Sequence, residues 1–367
     1  MRAQTSDALQ PFSALLVLVL LLVAAITMAC TSETSTTGAP VIVVREGWPG
    51  APLVTEVDSP GAFGTNLSGL AAAMEQDTLV LWAVRNEPSR LYRIVADGVQ
   101  WRADTADGWG DGRPLRFANG SGSPDAEGVA LTAGGAAAGV YVASERDNDL
   151  GEVRRNSVLR FDLTAGAGEL AATHEWSLNA LLPESAPNRG VEAITWIPDA
   201  DLVAVGFRDE ARGERFNPAR YPDHGDGIFV VGLEGNGSLY LLALNHATQQ
   251  ATLLATVRSG MAAVMALEYD AAERTVWAIC DESCGGESRL LTVDTVASSL
   301  TFGRFVLTRA FLGPAGLPSS NHEGFALAPP ATCADGFRAV FWADDDALGG
   351  HALRRGWLPC GRLPSPR

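Results

Sequence analysis

The side chains in this chain best suited to chemistry are carboxylates that recur in one phrase. Residues 125–131 read DAEGVAL, residues 321–327 read NHEGFAL, and a weaker copy, RGVEAITWIP, begins at Arg189. Each copy sets a glutamate (Glu127, Glu192, Glu323) before a small or apolar residue and an apolar run. A second set of acids closes the following run: Glu87, Glu145 with Asp147, Asp209 with Glu210, Asp281 with Glu282, and Asp344 to Asp346. Gathered in a partly dry funnel, such acids repel, and are relieved by raised pKa values, backbone N–H groups, arginines or a bound cation. Glu127, Glu192 and Glu323, with Arg189 beside the second, are therefore candidate catalytic residues. Glu127, Glu145, Glu192, Asp281, Glu323 and Asp344 are candidate ligands of a metal. An all-oxygen set suits Ca2+, which takes about six to eight such ligands in loose geometry. The competing use is architectural: the glutamates would tie each repeat to the next through backbone N–H groups, with Gly128 and Gly324 permitting tight strand starts.

Other catalytic signatures fail. There is no G-x-S-x-G nucleophile elbow, and the chain contains no lysine, which rules out a G-x-x-x-x-G-K phosphate loop. The five histidines include His224 in a turn-like YPDHGDG and His322 beside Glu323, and none has zinc-site spacing. Arg146, Arg189 and Arg208 adjoin the acidic phrases, where they could hold an anionic ligand or pair with the acids.

The elements that must position these acids are strands. Runs of four to seven Val, Leu, Ile, Trp and Phe residues with partial two-residue alternation are bounded by Gly, Asp, Pro and Asn, and no helical period is sustained after the N-terminal segment. Five copies of the unit begin near Leu67, Asp125, Arg189, Ala263 and Asn321, about sixty residues apart. Third and fourth strands follow in most of them, such as RLYRIV and GVQWRA in the first and SVLRFDL and ELAATHEWSL in the second. A recurring four-stranded antiparallel unit specifies an all-β fold, a β-propeller of five or six four-stranded blades. The third repeat carries the longest insertion, residues 208–227, and an N-terminal strand such as PVIVV is expected to close the last blade. Trp82, Trp196, Trp277 and Trp342 fall on first or second strands and are expected to pack between blades.

The series DAEGVAL, YVASERDN, NSVLRFDL, then NRGVEAITWIP, then NHEGFAL with FWADDD, is similar to the phytase-like family described as having esterase-like activity. The likeness runs from about Ser68 to the C-terminus and rests on Glu127, Glu145, Asn188, Glu192 and Glu323. More loosely, the acid-Gly phrase resembles the SdiA-regulated propellers, and the architecture resembles gluconolactonase-type propellers that hold a metal in the channel. The resemblance implies a propeller with a functional surface at one end of its channel.

Residues 14–26 form an unbroken apolar run shorter than a membrane span. It ends at TMAC, and a Ser/Thr-rich stretch follows. This order resembles a bacterial lipoprotein signal, although Thr27 stands where Leu is usual. The expected organisation is a signal peptide at 1–29, a lipid-bearing Cys30 opening a tether at 30–40, and a single propeller domain at 41–367. The expected location is the bacterial envelope outside the cytoplasm, with membrane contact through the lipid anchor only. A net charge of −16 argues against nucleic acid or an anionic membrane surface as a partner. Export turns Cys280, Cys284, Cys333 and Cys360 into disulfide candidates with three possible pairings. The expected one joins Cys280 to Cys284 across CDESC and Cys333 to Cys360.

Together these readings describe an exported propeller with a metal-dependent ester or phosphoester hydrolase site at one channel mouth, acting on a small molecule. The alternative is a non-catalytic envelope propeller that binds a ligand or a protein partner.

Overall fold

The computed structural model describes residues 44–151, 153–163, 168–361 and 363, so Cys30, its tether and most of PVIVV lie outside the described residues. Most of the apolar runs become strands whose two faces are both buried. In the second repeat, Val140 and Val142 point into one core beside Trp82 and Val129, whereas Tyr141 and Ala143 point into another beside Ile194 and Phe229. Side chains alternate between faces along a strand, so a sheet covered on both sides needs near-continuous hydrophobic sequence. Five such two-sided sheets stack around an axis, with five hydrophobic clusters, one in each gap between neighbours. The molecule is a five-bladed β-propeller.

The innermost strands are Leu67–Glu75, Pro124–Leu131, Val191–Pro198, Ala266–Asp270 and Gly324–Leu327. They adjoin in that order, and the fifth returns to the first. Each is followed outward by antiparallel partners. Closure uses the beginning of the described chain: Thr55–Glu56 pairs antiparallel with Leu353–Pro359 at the edge of the fifth blade. Arg45–Glu46 adds in parallel to the edge of the fourth. The closing strand is thus Thr55–Glu56, downstream of the expected segment.

Two strand expectations are corrected. ELAATHEWSL is divided: Leu170–Ala171 pairs with Arg113–Arg116 of the first blade, and only His174–Ser177 completes the second. In the third repeat, the run after Pro198 is a helix, Asp199–Val205, and the second strand is Gly227–Leu233 beyond the insertion. Helix punctuation overrides the β-branched content here. Asp199 and Asp201 lie in the first turn, and Gly206 adopts φ 69° to cap the end with its N–H on Leu202 and Val203 carbonyls. Leu202 anchors the helix in the core.

The small residue of the repeated phrase has a packing cause. A Cβ at Gly128 would lie 2.9 Å from the Ile194 nitrogen, and one at Gly324 would lie 2.3 Å from the Ser68 carbonyl oxygen. Neighbouring inner strands meet backbone to backbone, and the third and fourth blades place Ala193 and Ala266 at the matching point. Gly324→Ala should therefore cost about 1–3 kcal/mol of stability, the range for overpacking a tight site. An unchanged urea midpoint would contradict that account.

Both disulfides pair as expected, Cys280 with Cys284 and Cys333 with Cys360. Trp277 and Trp342 are buried between the fourth and fifth blades with Trp48 packed on both, and Trp82 meets Trp109 edge-on between the first and second. Trp196 packs against the cluster between the second and third. His224, expected in an exposed turn, is 5% exposed and bonds the Asp199 carboxylate at 2.9 Å, because the insertion folds back on the helix.

Candidate functional site

The residue before each close-packed small residue faces one end of the channel. Ser68, Glu127, Glu192, Met265 and Glu323 occupy this position in the five blades, each preceding Gly69, Gly128, Ala193, Ala266 or Gly324. Radial repetition thus brings Glu127, Glu192 and Glu323, far apart in sequence, into one layer, where Glu323 raises the pKa of both others and Glu127 that of Glu192. Asp125, two residues before Glu127, joins them, since alternate residues of a strand share a face. Ligand oxygens of Asp125, Glu127 and Glu145 all lie within 4.8 Å of one another.

Few donors meet this charge. Arg146 places Nε 2.7 Å from Asp125 Oδ2 and Nη1 3.6 Å from Glu145 Oε1. The Gly190 N–H donates to Glu145 Oε2 at 2.8 Å, the blade-to-blade tie anticipated as the architectural use. Asn321 Nδ2 donates to Glu323 Oε1 at 2.9 Å, and Asn86 Nδ2 approaches Glu127 Oε2 at 3.4 Å. Ser68 has a single hydroxyl proton, which goes to the Glu127 carbonyl at 2.6 Å. Glu323 Oε2 and Glu145 Oε1 are buried without a hydrogen-bond donor, as is the acceptor Asn86 Oδ1.

Burial is the main cause of the resulting pKa shifts. It pushes Glu127, Glu192 and Glu323 well above the ordinary carboxylate range, and neighbouring carboxylates push further. Glu145 rises to about 7 through burial, opposed by the Gly190 N–H and Arg146, and Asp345 rises to about 6. Groups that titrate near neutrality in a cleft suit proton transfer, and the same set can hold a cation.

The second-strand acids divide in a way their sequence clusters conceal. Asp344 is engaged elsewhere: Arg354 Nη1 at 2.5 Å, the Ser320 hydroxyl at 2.7 Å and the Leu348 N–H at 3.1 Å satisfy its carboxylate. Its neighbour Asp345 reaches the site, within 3.4–3.5 Å of Asn321 and Asn86. Asp281 is buried near Glu323 and Glu234, with its Oδ1 taken by the Ser283 N–H and hydroxyl. In the third blade the equivalent acid is Glu234, which follows the true second strand. Asp209 is bound to Tyr221 and the Arg212 N–H inside the insertion. In the first blade Asn86 rather than Glu87 faces the site. Arg189 stands half-exposed at the rim, with Nε 3.6 Å from Glu234. Arg208 donates to Gly213 within the insertion hairpin. His322 is buried beside Asp344 and kept neutral, its pKa lowered to about 4 by burial. Asp125, Asn86, Asn321 and Asp345 were not picked out as site residues from sequence. Asp125 was legible from its two-residue offset to Glu127, whereas the asparagines carry no charge that would mark them.

Residues 63–217 match the phytase-like family, described as esterase-like activity of phytase. The match takes in the first two blades and the start of the third, including Glu127, Glu145, Asn188 and Glu192, and stops short of Glu323. No curated protein matches the chain. Among solved structures, a chain of a nidogen/laminin complex is 11% identical, with 79% of this chain and 83% of that one covered and a TM-score of 0.36. A chain of a mitotic checkpoint complex is 10% identical, with 87% and 98% covered and a TM-score of 0.38. A protein of unknown function from Bacteroides thetaiotaomicron is 10% identical, with 83% and 75% covered and a TM-score of 0.39.

Proposed function

We propose that the carboxylate mouth binds a divalent cation, calcium by its donor chemistry, and hydrolyses small-molecule esters or phosphoesters. The supporting observation is the pair of buried carboxylate oxygens without a donor, Glu145 Oε1 and Glu323 Oε2, in a site whose ligand atoms are all oxygen. Glu127, Glu145, Asp125 and Glu323 would hold the ion, with Asp345 and Asn86 beside them. When bound, it would polarise an ester carbonyl or phosphoryl oxygen and offset the negative charge of the mouth. Glu192 lies in the same layer with its pKa raised by burial and neighbouring carboxylates, and in its ionised form it would take a proton from an attacking water. Arg189 at the rim would contact an anionic part of the substrate. Carboxylates outnumber guanidinium groups here, so a phosphoester would depend on the cation more strongly than a neutral ester.

Hydrolysis of p-nitrophenyl butyrate, p-nitrophenyl phosphate and bis-p-nitrophenyl phosphate, followed with calcium and with chelator, tests this reading. Calcium-dependent turnover lost in Glu192→Gln is the expected result. Cation binding without turnover of any of the three would favour a non-catalytic propeller that binds a ligand or a protein. That second reading draws support from Asp344, which is fully met by protein donors.

We place the protein outside the cytoplasm, anchored by lipid at Cys30, on the basis of the apolar run and the tether that follows it. Cys30→Ser should remove the lipid mass and move the protein from the membrane to the soluble fraction. Unchanged mass and partitioning would reject the anchor.

A further inference from the structure

The opposite end of the channel has different chemistry. It opens into a cavity of about 330 Å³, within the range of small-molecule sites. The last residues of the inner strands line it, with Ala71, Ala72, Ala73, Ala130 and Ala328 presenting little more than methyl groups. Midway between the two mouths the channel narrows to a void of about 10 Å³, no larger than one water requires. A ligand at this end is therefore separated from the carboxylate mouth.

Four titratable groups line the cavity: Glu268, Tyr269 and Asp270 from the fourth blade, and Arg338 from the fifth. Arg338 lines the cavity, is 6% exposed and donates Nη2 to Asp270, so the pair carries no net charge. The Tyr269 hydroxyl is committed to Asp201 at 2.9 Å. Glu268 lies in the wall, partly exposed to the cavity. Burial, and then Asp270, raise its pKa to about 8 against the lowering effects of the Leu327 N–H and Arg338, so its carboxyl is protonated at neutral pH and can donate. The cavity thus combines an apolar wall with two donors, a guanidinium N–H and a carboxyl O–H. A carboxylate offers one oxygen to each.

We propose that this cavity is a second ligand site, which takes a short-chain aliphatic monocarboxylate with its head between Arg338 and Glu268 and its alkyl chain along the alanines. The site is independent of the activity proposed for the other mouth. As pH rises past the Glu268 pKa, a second carboxylate forms beside the ligand's own and binding is lost. Asp270, Arg338 and Tyr269 are the other titratable side chains of the cavity wall.

Titration calorimetry of the purified chain with sodium hexanoate, in chelator so that the carboxylate mouth holds no cation, tests the proposal. Hexanoate should bind at pH 6.5 and weaken about tenfold or more by pH 9.5. Glu268→Gln retains a donor without an ionisable proton and should bind equally at both pH values. Ala72→Phe, which fills the cavity, should abolish binding, and 1-hexanol should bind at least tenfold more weakly than hexanoate. Absence of binding at pH 6.5, full binding in Ala72→Phe, or equal affinity for hexanol would each overturn the site. A pH-dependent loss that persists in Glu268→Gln would overturn the role of Glu268.

Discussion

In millimolar calcium the propeller is expected to melt several degrees higher than in chelator. A cation that binds only the folded state stabilises it by about 2.7 kcal/mol at one hundred times its dissociation constant, roughly 3–8 °C for a domain of this size. The effect should grow with pH. Glu145 and Asp345 have folded-state values raised from 4.5 to about 7 and from 3.8 to about 6. Their contribution to stability is fully present below the unfolded values and lost as pH rises through the folded ones. The cation-free protein should therefore melt lower at pH 8 than at pH 5, and calcium should close that gap, because protons and calcium compete for the same oxygens. Glu127→Gln and Glu323→Gln should lose the calcium response and any hydrolytic activity together. If the wild type melts alike in chelator and calcium, and the Gln variants are as stable or more so, the cation site is abandoned and the glutamates are left with their architectural use.

The largest single-residue effect is expected at Asp344, for a reason unrelated to metal. Asp344 and Arg354 are 0% and 2% exposed and bound to each other at 2.5 Å, and Arg354 also donates to the His351 and Leu348 carbonyls. Asp344→Ala leaves a buried guanidinium without its counter-charge, at a cost of about 3–5 kcal/mol. The loss should be the same in chelator and in calcium. Asp344→Leu combined with Arg354→Met should recover most of it, since an apolar pair of similar volume carries no desolvation penalty. Urea midpoints for the three proteins, each measured with and without calcium, check this. A loss that appears only in calcium would make Asp344 a ligand after all.

Much of the fold is legible along the chain because a propeller is local in sequence. Each blade is a run of adjacent strands, so short apolar runs such as VYVA between turn residues and the repetition of acid, small residue and apolar run carry the all-β class and the five units. Repetition also carries the convergence of Glu127, Glu192 and Glu323: equivalent positions on the inner strands must meet at the axis wherever they lie in sequence. The pairing of Cys280 with Cys284 is similarly local, separated by four residues.

Other features depended on contacts the sequence does not display. DLVAVGF has the residues of a strand but becomes a helix, because Leu202 finds a core pocket and Gly206 caps the turn, and this moves the third blade's acid from Asp209 to Glu234. Among Asp344 to Asp346, the choice is made by Arg354, on the next strand, which captures Asp344 and leaves Asp345 to face Asn86 and Asn321. Thr55–Glu56 closes the ring against a strand some three hundred residues later, a register that no local pattern announces. The cavity at the far mouth, with Glu268 and Arg338 brought together from different blades, exists only once the blades are stacked. Strand propensity and repetition act along the chain, whereas the direction of a side chain at a strand end is decided by whichever partner the closed ring brings beside it.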